Sequence, residues 1–199
     1  MAPRNEEQNQ KIKDERHQQI IKAASRVFAR RGLAATKIAD IAAAAGMSHG
    51  LVYHYFPSKE AVYAAIVAEA MEGATLVTAG ALQQPGTPWE RLHWMTTLML
   101  QGVREQPDYF LIVVQTFAGE SMPEEVNSLV RDQGMQPFMY MVQLIQEAQA
   151  AGQVVAGNPG TLAVSLYALI QGLATYSLSP VDMTPYFPDA DTVLRLMKK

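Results

Sequence analysis

Apolar residues recur along the chain at helical rather than strand spacing. Ile20, Ala24 and Phe28, for example, fall on one face of a helix because they are four positions apart. Turn-forming residues divide this pattern, and Gly134 and Pro137 predict a further break inside the seventh segment. The predicted helices cover residues 14–31, 36–45, 48–56, 59–80, 88–105, 108–118, 123–151, 159–178 and 189–199. The pattern therefore predicts an all-α fold of about nine helices.

Glycines and short polar residues predict where the first helices begin and end. Gly32 and Gly46 are expected to end the first two helices, because glycine tolerates the left-handed conformation of a helix C-terminus. Thr36, Ser48 and Ser58 are expected to cap the N-termini of the next three. The result is a cluster of short helices at the start of the chain, followed by longer ones.

The composition is that of a globular protein without disulfide bonds. The chain has 199 residues, 49% of them apolar, and no cysteine. A disulfide scaffold and thiolate metal sites are thereby excluded, and a reducing compartment is favoured. The polar N-terminus lacks the apolar core of a signal peptide. We therefore expect a cytoplasmic protein.

Residues 148–181 carry no charge, which raises the question of a membrane span. Its apolar core, 162–178, is only 17 residues long and contains polar side chains such as Gln171. A spanning helix needs about 20 predominantly apolar residues and usually has basic flanks. We therefore expect no membrane contact and predict that this helix is buried at a subunit interface.

The charge of the chain is unevenly distributed. Residues 1–59 carry ten basic and five acidic side chains, a net charge of +5, whereas residues 60–199 carry six basic and fourteen acidic ones, a net charge of −8. A basic head on an acidic body favours a polyanion-binding unit joined to a part that does not bind polyanions.

The segment 36–59, TKIADIAAAAGMSHGLVYHYFPSK, has the pattern of a helix-turn-helix. Two short helices flank Gly46, and in such a motif the second helix can enter the DNA major groove. Val52 and Phe56 share one face of this second helix and are expected to pack inward. The opposite face, with two imidazoles, a phenol and a glycine, suits base edges and phosphates; it comprises His49, Gly50, Tyr53 and His54.

The residues from about 20 to 63 resemble the tetracycline-repressor (TetR) family of transcription regulators. The likeness rests on FARRG at the end of the first helix, then Thr36, IADIA, the AG pair at 45–46, Ser48, Gly50, Tyr53, Phe56 and Lys59, in the family's order and spacing. The resemblance implies a homodimer with an N-terminal three-helix DNA-binding domain and a C-terminal helical domain for effector binding and dimerisation. The corresponding divisions are a polar arm at 1–15, the DNA-binding domain at 16–62 and the effector domain at 63–199.

Carried over by position, the resemblance also implies which residues contact DNA. Thr36 and Lys59 match phosphate-contacting positions, and Leu51 stands where the family often has threonine, so an apolar contact is expected there. The full predicted DNA-binding set is Thr36, Lys37, Ser48, His49, Gly50, Leu51, Tyr53, His54 and Lys59.

The second half of the chain is rich in aromatic residues and methionine. Such residues at helical spacing are usually plain core, but with the resemblance they predict a cavity for an apolar or amphipathic effector. The predicted effector-binding residues are Trp94, Leu98, Phe110, Phe117, Phe138, Met141, Tyr167 and Gln171. The helix after Pro159 has two apolar rows, and one is predicted to form the dimer interface: Leu162, Leu166, Leu169, Leu173 and Tyr176.

No catalytic or cofactor-binding motif is found in the sequence. It contains no G-x-S-x-G, P-loop or G-x-G-x-x-G, and its four histidines show no metal-ligand spacing. We therefore expect no catalytic residues, no metal and no cofactor. The sequence predicts a regulator, most simply a repressor, that binds a pseudo-palindromic operator and is released by an effector. The alternative is a helical enzyme or small-molecule carrier with an incidental basic head.

Overall fold

The N-terminal part of the protein is a cluster of one long and two short helices. A computed structural model describes residues 3–119 and 122–199. In it α1 spans Pro3–Ala35, α2 Ile38–Ala45 and α3 His49–Tyr55. Helix α1 has one non-helical residue, Gly32, with a φ of 72° and ψ of 168°. The predicted break at Gly32 is therefore confirmed.

Helix α1 starts well before the predicted residue 14. Its first turns are rich in Glu, Gln and Lys, which are good helix formers, and residues 8–16 are all exposed. From Pro3 onward, the segment predicted as a polar arm is thus an extension of α1, whereas residues 1 and 2 lie outside the described residues.

The helix caps follow the sequence with one exception. The side chains of Ser48 and Ser58 accept hydrogen bonds from Leu51 and Ala61 N–H groups, as predicted. Thr36 does not cap α2, because its hydroxyl donates to the Gly32 carbonyl across the break in α1, at 2.7 Å. The N-cap position belongs instead to residue 37.

The rest of the chain forms a helical body. Its helices are α4 Lys59–Gln83, α5 Pro88–Glu105, α6 Pro107–Ala118, α7 Glu124–Gln133, α8 Met135–Ala150, α9 Pro159–Thr175 and α10 Ala190–Leu194. The predicted break in the seventh segment is confirmed, because Gly134 separates α7 from α8. Short 3₁₀ turns at Tyr176–Leu178 and Thr184–Tyr186 complete the fold.

The C-terminus departs from the predicted helix over 189–199. Helix α10 ends at Leu194, and the following residues pair with the segment after α8. The Val155 N–H donates to the Met197 carbonyl at 2.9 Å, and the Lys199 N–H donates to the Gln153 carbonyl at 3.2 Å. These backbone bonds replace the hydrogen bonds that a longer helix would make.

Helix α4 is the central element of the fold. By length and composition it could cross a membrane, but it packs against α1, α5, α6, α7 and α8. Tyr63, near its start, is fully buried. Its ring meets that of Phe28 edge-on, with centroids 5.1 Å apart, and its hydroxyl lies 3.0 Å from Thr116 Oγ1 on α6. The predicted boundary at 62–63 therefore falls inside a helix that both parts of the molecule share.

Candidate nucleic-acid interface

The turn between α2 and α3 is built by a left-handed glycine. Gly46 has a φ of 66°, and the Met47 N–H that follows it donates to the Ala42 carbonyl at 2.9 Å. Gln19 on α1 donates its side-chain amide to the Ala45 carbonyl at 2.9 Å. The last carbonyl groups of α2 would otherwise lack hydrogen-bond partners, and these two bonds satisfy two of them.

Helix α3 is held to the rest of the cluster by one face. Val52 and Phe56 are buried, as predicted. The Phe56 ring also packs against the His17 imidazole of α1, with ring centroids 4.7 Å apart. These contacts determine the rotation of α3 and hence which residues it presents to solvent.

The face of α3 that remains exposed is the predicted recognition face. Tyr53 is 55% exposed, although a tyrosine buries readily, and His49, Gly50 and His54 are exposed as well. Leu51 is half-buried beside them. The structure thus brings together two imidazoles, a phenol and a backbone stretch without a side chain on one side of a short helix.

Two residues predicted to contact phosphate are engaged within the protein. Thr36 is only 1% exposed, so its side chain is not available at the surface, which corrects the assignment drawn from the resemblance. Lys59 donates from Nζ to the Leu33 and Ala34 carbonyls, at 2.8 and 3.1 Å. The ammonium group therefore caps the end of α1, and one of its three N–H donors is left for a phosphate.

The start of α2 carries a small charge network that the sequence analysis missed. Asp40 accepts a hydrogen bond from the Lys37 backbone N–H at 2.9 Å and forms an ion pair with Arg31 at 2.9 Å. The backbone bond, followed by the Arg31 charge, holds the pKa of Asp40 below its ordinary value. The Lys37 side chain remains exposed. An acid three residues after the cap position was the signal in the sequence.

Links between the head and the body were also missed. Gln115 of α6 donates its side-chain amide to the Ala29 carbonyl of α1 at 2.8 Å. Glu69 of α4 accepts from both Gln18 on α1 and the Tyr109 hydroxyl on α6, at 2.9 and 3.2 Å. These polar contacts join α1 to α4 and α6, and no sequence pattern marks them because they join distant parts of the chain.

The predicted effector residues fall into three groups. Met141 is fully buried, and five others are half-buried on inner helix faces: Leu98, Trp94, Phe110, Phe138 and Gln171. Trp94 packs over Gly80, and Phe110 packs over Gly102. Phe117 is wrong as a cavity residue, since it is 58% exposed at the last turn of α6, whose inner face is formed by Leu111, Ile112 and Thr116.

Tyr167, the remaining predicted effector residue, is also half-buried, on α9. Its ring is 6.2 Å from that of Phe138, and burial raises the pKa of Tyr167 to about 12. Its hydroxyl oxygen is buried and has no hydrogen-bond partner among the described residues.

The exposed residues of α9 are not those predicted for the interface but form a neighbouring row on the same helix. Leu166 is 3% exposed and belongs to the protomer's own core, so it is wrong as an interface residue. Leu162, Leu169 and Leu173 are half-buried, and Tyr176 lies exposed in the 3₁₀ turn after the helix. The outer row of α9 carries no charge and consists of Thr161, Val164, Ser165, Ala168 and Gly172.

Helices α2 and α3, with their glycine turn and the supporting α1, define a helix-turn-helix protein. The sequence signature of the bacterial regulatory proteins of the tetR family matches residues 20–66. This match confirms the resemblance to the tetR family inferred from these residues.

Curated relatives match this segment, and solved structures share the fold. The transcriptional repressor KstR2 of Rhodococcus jostii is 46% identical over 50 residues, 25% of this chain and 24% of that protein. Matches to the first curated relatives cover only 17% and 24% of their lengths.

A TetR-family regulator from Agrobacterium tumefaciens superimposes with a TM-score of 0.75 at 18% identity, covering 94% of this chain and 99% of that one. AibR, solved with isovaleryl coenzyme A and operator DNA, gives a TM-score of 0.71 at 18% identity, covering 90% and 94%. The all-α fold with an N-terminal helix-turn-helix is thereby confirmed.

Proposed function

We propose that the protein is a transcriptional regulator that binds double-stranded operator DNA as a homodimer and responds to a small effector. The observation that carries this proposal is the outward face of α3, on which Tyr53, His49 and His54 are exposed while Val52 and Phe56 anchor the helix. A helix held in this way can enter a major groove without unfolding any part of its support.

The effector belongs in the body of the molecule. The interior there is apolar, and the half-buried aromatic residues Trp94, Phe110 and Phe138 contact it from different helices. The relative AibR was solved with both an acyl coenzyme A and operator DNA, which supports a two-site protein of this kind. We expect a largely apolar or amphipathic effector, no enzymatic activity and a cytoplasmic location.

Homodimerisation would place two copies of α3 on successive major grooves. The uncharged outer row of α9 suits a two-fold interface, in which the same surface is used by both copies. Effector binding would favour a spacing of the two α3 helices that no longer matches the grooves, so that the protein acts as a repressor. Because such coupling is reciprocal, operator DNA must weaken effector binding by the same factor.

Selection of bound fragments from a random DNA pool tests the proposal. We expect a pseudo-palindromic sequence to be enriched, and binding to it should weaken steeply with salt. The Tyr53→Ala variant provides the control because it should retain the fold and lose the enrichment. Enrichment of no sequence by the folded wild-type dimer would contradict the proposal and favour a carrier of small molecules.

A further inference from the structure

The hydroxyl groups inside the body differ in how they are satisfied. The buried threonines each donate to a carbonyl four residues earlier in their own helix, at 2.7–2.9 Å: Thr78, Thr96 and Thr116. The buried Tyr63 hydroxyl is paired with Thr116. Tyr167 differs from all of these, because its buried hydroxyl has no partner among the residues that the structure describes. A polar group in that state is costly unless something else accepts its hydrogen bond.

The surroundings of Tyr167 limit what the acceptor can be. Within the described parts of the chain, the buried polar side chains other than Tyr63 are serines and threonines. Arg91 is partly buried and its Nε lacks a hydrogen-bond partner, but its charge is already paired with Glu147 at 3.6 Å. An anionic or cationic ligand group beside Tyr167 would lose its hydration without meeting a counter-charge. A ligand hydroxyl would bring a further donor that needs its own acceptor, whereas a carbonyl oxygen brings none. The neutral carbonyl is therefore the best complement to this phenol.

The interior has side chains that can repack around such a ligand. Met95, Met99 and Met141 are buried in the same core, and methionine adapts its shape more readily than branched or aromatic residues. The Phe138 ring, 6.2 Å from that of Tyr167, provides an aromatic wall on α8.

We propose that Tyr167 determines effector specificity by donating a hydrogen bond to the carbonyl oxygen of a neutral, mainly apolar ligand. The proposal rests on the effector site of the proposed function and adds the chemical class of the ligand. Since the pKa of Tyr167 is raised by burial, the phenol keeps its proton at neutral pH and remains a donor.

The first test compares two tyrosines whose hydroxyl groups differ in their hydrogen bonding. In the ligand-free protein, Tyr167→Phe removes an unsatisfied hydroxyl and should leave the melting temperature unchanged or raise it. Tyr63→Phe removes a hydroxyl that Thr116 satisfies and should lower it. A melting temperature that falls equally in both variants would overturn the proposal, because it would mean that Tyr167 has an internal partner.

The second test measures binding of three matched probes to the full-length protein by ligand-observed NMR. Acetophenone has the carbonyl, ethylbenzene lacks the oxygen and benzoate carries a charge. Acetophenone should bind roughly threefold to tenfold more tightly than ethylbenzene, and benzoate should bind most weakly. Tyr167→Phe should abolish the preference for acetophenone over ethylbenzene.

Two results of this measurement would overturn the proposal. One is a preference for acetophenone that survives in Tyr167→Phe; the other is the absence of acetophenone binding, or binding no tighter than that of benzoate. Operator binding, measured on the same samples without ligand, distinguishes failure of the proposed role of Tyr167 from failure of the proposed regulator function. A variant that still binds operator but shows no probe selectivity contradicts the role of Tyr167 alone, whereas loss of operator binding by the wild type contradicts the regulator itself.

Discussion

The head and the body of the molecule use their side chains in opposite ways. In the head, the residues predicted to contact DNA are exposed on α3, and the buried Val52 and Phe56 hold that helix in place. In the body, the candidate effector residues other than Phe117 are buried or half-buried on several helices. A surface site can be identified from local spacing, because one short helix contains it. An interior site depends on how several helices meet.

The largest expected effect is on stability, where truncation of a buried aromatic residue should cost much more than truncation of an exposed one. Phe28→Ala should lower the free energy of unfolding by about 3–5 kcal/mol, because it removes the partner of Tyr63 and leaves a cavity. Phe117→Ala, at a residue 58% exposed, should change it by less than about 0.5 kcal/mol. Denaturant unfolding of both variants checks this. Equal losses would mean that Phe117 packs against another molecule in solution.

A second pair distinguishes the two rows of α9. Val164→Glu, on the exposed row, should yield folded monomers, since a carboxylate buried without a partner at a two-fold interface costs about 3–5 kcal/mol. Leu166→Glu, in the core, should instead prevent folding. Sedimentation and circular dichroism distinguish these outcomes. An intact Val164→Glu dimer would exclude this row as the interface.

Tyr53→Ala tests the exposed face of the head. We expect loss of specific operator affinity by more than about tenfold with unchanged melting, because the side chain is 55% exposed. Val52→Ala is the matched control, and it should lower stability. If Tyr53→Ala melted earlier than the wild type, α3 would be rotated relative to the arrangement described above.

Lys59→Ala tests whether the ammonium group acts on DNA or only on α1. A phosphate contact should reduce the log–log salt slope of DNA binding by about 0.9 per site. Loss of the bonds to Leu33 and Ala34 should in addition lower stability slightly. An anisotropy titration at several salt concentrations separates the two roles. Reduced stability with an unchanged slope would assign Lys59 to capping alone.

The smallest effect on stability is expected from protonation of the Asp40 carboxylate at low pH. Its pKa is lowered in the folded protein, so its carboxylate stabilises the fold above the ordinary value of 3.8 and loses this contribution as the pH falls through the lower, folded value. Asp40→Asn keeps an acceptor for the Lys37 N–H and removes the charge. The melting temperatures of wild type and variant should therefore converge at low pH. A difference that persists there would show that the charge is not responsible.

Features that could be predicted from the sequence follow the same division between head and body. Glycine and serine positions around α3 predicted the turn and caps correctly, because those interactions span only a few residues. Thr36 was assigned wrongly because the break at Gly32 leaves a carbonyl that its hydroxyl can reach. Leu166 and Phe117 were misplaced because the rotation of α9 and α6 is determined by neighbouring helices, which spacing along one helix cannot reveal.

The sharing of α4 by the head and the body affects how the molecule could be recombined with others. Tyr63, in the first turns of Lys59–Gln83, contacts both Phe28 and Thr116. A chimera joined at residue 62 would therefore take Phe28 and Tyr63 from different proteins and lose their packing. Such a hybrid should aggregate or stay partly unfolded. A junction in the connection after Gln83 would transplant the head with its whole supporting helix, although the donor body would then have to accept the foreign surface of α4.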